Sequence, residues 1–312
     1  VLYFDYYFVF NVTILLGNTM KILIAIGGRE FSKPTLDLGM KIANSFKSST
    51  TIAYVGKKIS QFSEKDVSVV HQNLDDRELY RPGIRTLEWA YDFLISKNYI
   101  EEKDSNKFND YLLVDEENSR MKVLLKGQQS DKIDLIMRTG EIIEQLKNEV
   151  ETNKHDITII GGGGNKGIHQ KLVQFIDSSV FVVKNYSVNK KYRILLPINE
   201  SKGSDMAIET AINFAKSYKL DVEIVSVPEG KKSIEEVEKI LLKTKDKFLK
   251  NKIKASTKLI SGSAVNSIVN HAKDDSIVIL GVSPKNPIMK YFFGSKPLSI
   301  AQKCNCPVLI TK

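Results

Sequence analysis

An internal repeat is the feature that most constrains what this chain can fold into. Residues 20–28 (MKILIAIGG) and 192–200 (YRILLPINE) are apolar runs rich in Ile and Leu, set 172 positions apart, and each leads through polar residues into a helix-period segment. A continuous apolar run that feeds an amphipathic helix reads as a parallel strand buried on both faces. In the first helix Leu38, Ile42, Ala43 and Phe46 share a face, and in the second Ala207, Ala211, Phe214 and Ala215 do. Each copy continues without a gap into a further apolar strand, residues 51–55 (TIAYV) and 222–227 (VEIVSV).

Later landmarks match at smaller offsets. Residues 123–127 (VLLKG) match 259–262 (LISG), with Gly127 on Gly262, at an offset of 135, and 157–161 (ITIIG) match 277–281 (IVILG) at 120. Short strands at 180–183 and 308–310 close the copies at about 127, so the first copy carries extra residues before its third strand and is shorter near its end. Strands that alternate with helices in this order predict an α/β fold: two tandem doubly wound, Rossmann-like domains with mostly parallel five-stranded sheets and right-handed crossovers. The expected boundaries are 20–186 for the first domain, with an insertion at about 58–120, and 191–312 for the second, joined through residues 185–191. At 312 residues the chain is long enough for two such cores. The insertion holds a helical pattern at 85–95, with Leu87, Tyr91 and Leu94 on one face and the only tryptophan, Trp89. It reads either as a cover or partner surface at one end of the first sheet, or as a tolerated surface segment.

Residues 1–19 are apolar but lack a basic n-region and are interrupted by Asp5 and Asn11. Because Met20 directly precedes a strand, they read as a mis-translated extension, with a hydrophobic leader as the alternative. The net charge of +9 belongs to the second half, where 187–312 carry 22 Lys and Arg against 12 Asp and Glu. Much of it lies in 231–258, between Ile234, Val237, Leu241, Thr244 and Phe248 at helical spacing. Without aromatic interleaving this reads as a solvated helix face rather than a nucleic-acid or membrane surface. Cys304 and Cys306 are too few for a disulfide framework, and His71, His155, His169 and His271 lie far apart, so no metal cluster is expected and a reducing cytoplasm fits.

Glycines stand where a parallel sheet binds ligands, just after the strands. Gly281-Val-Ser-Pro284 is followed by nine residues and then Gly294-Ser295. A glycine there lets backbone approach a phosphate, and a Gly-Ser opening a helix offers N–H groups and a hydroxyl. In the first copy Gly161-Gly-Gly-Gly-Asn-Lys-Gly167 reads either as an anion nest or as a tight strand-to-helix turn. The order of Ile194-Leu-Leu-Pro-Ile-Asn199, the Gly262 turn, Gly281…Gly294-Ser295 and Cys306-Pro-Val-Leu-Ile310 resembles the universal stress protein family, over nearly all of 191–312 and less closely over 20–184.

Members of that family that bind ATP carry a G-x2-G-x9-G-[S/T] loop, an aspartate ending the first strand and an adenine contact from the second. The resemblance therefore implies phosphate contacts from Gly281, Gly294 and Ser295, Pro197 and Asn199 beside the nucleoside, and Val227 near the base. Pro284 departs from the pattern by replacing the second glycine, and Asn199 by replacing the aspartate. In the first copy Gly161 and Gly164 fill the first two motif positions, but the Gly-Ser is missing and Gly27 occupies the aspartate position, which leaves half a site. The implied function is a cytoplasmic stress-response protein that takes ATP or a related adenine nucleotide as a regulatory ligand in its second domain. A nucleotide-free interaction scaffold is the alternative. No nucleophile elbow, metal cluster or P-loop marks the chain as an enzyme, and a slow ATPase is the weaker option. Single-domain relatives dimerise through their last strands, so 180–183 and 308–310 are expected to pair within one chain as a pseudo-dimer, with a further homodimer left open.

Overall fold

A computed structural model describes residues 19–56, 76–100, 111–116, 120–125, 132–163, 166–228, 233–282 and 295–312. The chain divides into two compact units, Val1–Thr158 and Ile159–Lys312.

The first unit runs β1 (Lys21–Ile26), α1 (Arg29–Ser45), β2 (Ser49–Gly56), α2 (Asp76–Ser96), β3 (Tyr111–Glu116), β4 (Arg120–Leu125), β5 (Ile133–Thr139) and α3 (Ile142–Asn153). Its strands lie in the order β1-β2-β5-β4-β3. The pairs β1–β2 and β2–β5 are parallel, whereas β5–β4 and β4–β3 are antiparallel. Ile22, Leu23 and Ile24 of β1 are wholly buried, as a strand covered on both faces requires. Leu38, Ile42 and Ala43 of α1 and Leu87, Tyr91 and Leu94 of α2 are buried too, which follows their helical spacing.

Charge also enters this core. Glu149 on α3 is fully buried, and its Oε2 accepts from Arg138 on β5, at 2.8 Å from Nε and 2.7 Å from Nη2. Arg120 of β4 donates its Nε–H to the same oxygen at 3.1 Å, and Asn153 Nδ2 donates to Glu149 Oε1 at 2.9 Å. A carboxylate leaves water only when paired and fully hydrogen-bonded, so this cluster ties the β4 and β5 strands to α3.

The second unit begins inside β6 (Ile157–Gly161) and continues α4 (Lys166–Phe175), β7 (Ser179–Val183), β8 (Arg193–Pro197), α5 (Lys202–Tyr218), β9 (Val222–Ser226), α6 (Ile234–Lys250), β10 (Ala255–Leu259), α7 (Ala264–His271), β11 (Ser276–Gly281), α8 (Ser295–Lys303) and β12 (Val308–Thr311). Its strand order is β10-β9-β8-β11-β12-β7-β6. The first five are mutually parallel. β12 and β7, the closing strands of the two repeats, pair antiparallel, with Val308 opposite Val182, Leu309 opposite Phe181 and Ile310 opposite Val180. Phe181 meets Phe214 of α5 edge-on at 6.1 Å between ring centroids, so β7 shares the core of this unit.

The third strand of the first repeat lies elsewhere than the apolar run at 123–127. Residues 123–127 are not the counterpart of 259–262, because β4 pairs antiparallel with β5, whereas the counterpart of β10 must pair parallel with the second strand. That strand is β5. Gly140 (φ 138°) then corresponds to Gly262 (φ 105°), each two residues ahead of the next helix in a backbone conformation that favours glycine.

Candidate functional site

The chain order reverses between β8 and β11. From β8 the chain crosses through α5 to β9 on one side, and from β11 it crosses through α8 to β12 on the other. Open parallel sheets bind ligands beyond the carboxyl ends of strands at such a switch point. Pro197 ends β8 opposite Val225 of β9, Val227 follows the end of β9, and Gly281 ends β11. These three and the exposed Asn199 therefore lie at one edge of three adjacent strands. Ser295 is the first residue of α8. Gly294, Pro284 and Gly164 lie outside the described residues.

The turn from β8 into α5 is held by its own side chains. Asn199 donates its backbone N–H to Ser204 Oγ at 2.9 Å, and its Oδ1 accepts from Ser204 Oγ at 2.8 Å and from the Ser201 N–H at 3.0 Å. Ser201 caps the helix, its Oγ accepting from the Ser204 N–H at 3.3 Å. Thus the Asn199 oxygen, set beside the nucleoside by the family resemblance, is engaged in the turn itself. Below it, Ser226 Oγ donates to the Ile198 carbonyl at 3.0 Å and locks β9 to the end of β8.

Gly281 has a packing reason for being glycine. A Cβ placed there would stand 1.6 Å from the carbonyl oxygen of Gly203, so the first turn of α5 rests directly on the end of β11. No other residue permits that approach. None of Pro197, Asn199, Val227 and Gly281 titrates, and among the described residues no group of three or more His, Cys, Asp or Glu is placed to hold a metal ion. No helix among the described residues is long and apolar enough to cross a membrane.

In the first repeat the candidate residues fall in different units. Gly27 follows β1 and donates its N–H to Ser32 Oγ at 2.8 Å. Gly161 ends β6, and the next residue, Gly162, donates its N–H to the Val183 carbonyl at 2.7 Å. Sequence reasoning passed over Ser32 and Ser204, although they sit five residues past Gly27 and Asn199 and at the same offset of 172 that defines the repeat. It also passed over Gly203, whose role is visible only through the backbone it touches.

His155 is buried at the other end of the first-unit strands, with its Nε2 3.1 Å from Thr51 Oγ1, and burial pushes its pKa down to about 4. It faces away from the carboxyl edge and is a structural group.

Residues 192–312 match the family model described as the universal stress protein family. The universal stress protein YxiE of Bacillus subtilis (strain 168) is 26% identical over 147 residues, which are 38% of this chain and 98% of that protein. A universal stress protein from Archaeoglobus fulgidus DSM 4304 has a crystal structure similar to this chain at a TM-score of 0.60, covering 94% of this chain and 96% of that one at 12% identity. A functionally unknown protein from Pseudomonas aeruginosa PAO1 is similar at a TM-score of 0.59, covering 96% and 94%, also at 12% identity. At that identity the two structures speak for the fold alone.

Proposed function

We propose, from the match of residues 192–312 to the model of the universal stress protein family, that the chain is a cytoplasmic stress-response regulator which binds ATP or a related adenine nucleotide in its second repeat. The observation that carries this reading is the convergence of Pro197, Asn199, Val227 and Gly281 at the switch point of β9-β8-β11. In this reading the base lies by Val227, the nucleoside passes Pro197 and Asn199, and the phosphates meet the backbone at Gly281 and Gly294 and the start of α8 at Ser295. Asn199 meets the ribose as a neutral group, because an amide stands where an aspartate would bring charge. Gly161 and Gly164 retain the front of a phosphate loop in the first repeat and no more.

In this reading nucleotide is a ligand rather than a substrate, and recovery of unchanged ATP after incubation is the expected outcome. Pairing of β7 with β12 gives one chain the strand contact that joins two copies of single-domain relatives, a pseudo-dimer. The test is calorimetric titration of ATP into the native protein and into Gly294→Val. Saturable heat from the native protein and none from the variant is expected. No heat from the native protein, or equal binding by both, defeats the reading.

A second reading has its own support in the engagement of Asn199 Oδ1 by Ser201 and Ser204. It makes the tandem a nucleotide-free interaction scaffold. Mass spectrometry of the purified protein separates the two, since near-stoichiometric nucleotide excludes the scaffold.

A further inference from the structure

The two closing strands each lead into a lysine that reaches the closing helix of the other repeat. Lys184, after β7, donates from Nζ to the carbonyls of Ala301 at 2.6 Å, Gln302 at 3.0 Å and Cys304 at 3.3 Å, at the C-terminal end of α8. Lys312, after β12, donates from Nζ to the carbonyl of Ile176, just past α4. Carbonyls at a helix C-terminus have no partner within the helix and carry partial negative charge, so an ammonium there supplies both hydrogen bonds and charge. The exchange is reciprocal, but only one of the two helices begins at a candidate nucleotide residue.

The route of Lys184 is set by the first-repeat glycine turn. A Cβ on Gly162 would stand 2.1 Å from Lys184 Cγ and 3.0 Å from the Val183 carbonyl oxygen. Cγ lies near the root of the side chain, so a larger residue at 162 must reroute the whole lysine. Gly162 also donates its N–H to the Val183 carbonyl, which fixes the backbone just before Lys184. A contiguous line of packed and hydrogen-bonded atoms thus runs from the glycine turn through Lys184 to α8.

We propose that Lys184 is a positioning residue for the second-repeat site: it fixes the C-terminal end of α8, the helix that begins at Ser295, and Gly162 makes that fixation depend on the glycine turn of the first repeat. The first-repeat loop, which has lost half of its own site, would on this account govern the neighbouring one. The proposal rests on the nucleotide reading for its functional arm and on geometry alone for its structural arm.

Both arms can be measured separately. Cys304 and Cys306 are the chain's two cysteines and are 1% and 0% exposed, so the rate at which an aryl disulfide reagent labels them under native conditions reports loosening at the end of α8. Lys184→Met keeps an unbranched stem and removes the donors, and is expected to label about tenfold faster than the native protein, with Gly162→Ala behaving alike. Lys184→Arg, which restores charge and donors, is expected to return the rate to near native. Calorimetric affinity for ATP should fall about tenfold in Lys184→Met at unchanged stoichiometry and recover in Lys184→Arg. Native labelling rates in both Lys184→Met and Gly162→Ala overturn the proposal, and so does faster labelling with unchanged ATP affinity. If the native protein binds no ATP, the nucleotide reading has failed, and the labelling arm still decides whether Gly162 and Lys184 hold α8.

Discussion

The turns that follow β1 and β8 occupy the same place in the two repeats and are built to different depths. In both, a backbone N–H at the strand end donates to a serine hydroxyl five residues on, Gly27 to Ser32 at 2.8 Å and Asn199 to Ser204 at 2.9 Å. Only the second adds a side-chain acceptor, Asn199 Oδ1, and a serine cap, Ser201. Only the second sets a glycine, Gly203, against the end of a neighbouring strand, where the first has Phe31 at 78% exposure. The shared bond belongs to the handover from strand to helix. What surrounds it differs between the copies, and the turn of the second repeat is the more densely hydrogen-bonded of the two.

The sharpest attempt to break this contrast sets alanine at a glycine packed against the second turn and at one in the open first turn. Gly281→Ala drives a methyl into the Gly203 carbonyl and is expected to destabilise the protein by about 4 kcal/mol in urea unfolding. Gly27→Ala, with nothing within 4 Å of the new methyl, should change stability by less than about 0.5 kcal/mol. Similar losses at both positions would erase the distinction between a packed and an open turn.

A smaller effect probes the opposite ends of the strands. His155 corresponds, at the offset of 120, to Asp275, which lies 3.6 Å from Arg193 and is partly exposed. The imidazole takes up its proton near the ordinary histidine value of 6.5 in the unfolded chain and only near 4 in the fold, with burial as the first cause. Between those values the unfolded state binds more protons, so stability falls as the pH drops through that window and is unaffected above it. The full loss is on the order of 3 kcal/mol. Unfolding of the native protein and of His155→Gln across pH 4 to 7 should show a shallower slope in the variant, and equal slopes refute the assignment.

The least of the expected effects concerns the serines themselves. Ser204→Ala removes a hydroxyl that both accepts from the Asn199 N–H and donates to Asn199 Oδ1, and should cost about 2 kcal/mol, whereas Ser32→Ala should cost about 1 kcal/mol. Equal costs in denaturant melts would mean that the Asn199 carboxamide adds nothing to the turn.

Much of this architecture is written in spacing that a reader of the sequence can follow. Ala207, Ala211, Phe214 and Ala215 are all buried, and so are Val237, Leu241, Thr244 and Phe248 of α6, although Ile234, the first helical residue, is 58% exposed. The third strand of the first repeat was obscured by its own chemistry. β5 reads IDLIMRT, and Arg138 breaks the apolar run that marks a buried strand, yet Arg138 is 1% exposed because Glu149 meets it from α3. A partner on another element cannot be seen from a local pattern, so VLLKG drew the match instead. The same holds at the site. Strand order brings Pro197, Asn199, Val227 and Gly281 to one edge, but whether Gly281 serves a ligand or a helix depends on Gly203, 78 positions away.

The antiparallel pairing of β7 with β12 carries a consequence for synthesis. Val182 leaves the ribosome 126 residues before its partner Val308. Until then SVFVV, all of it buried in the finished protein, offers an apolar edge with unmet N–H and C=O groups. The nascent chain must shelter that edge while the whole second repeat is made, and any stop codon ahead of β12 would leave it permanently open to the next chain.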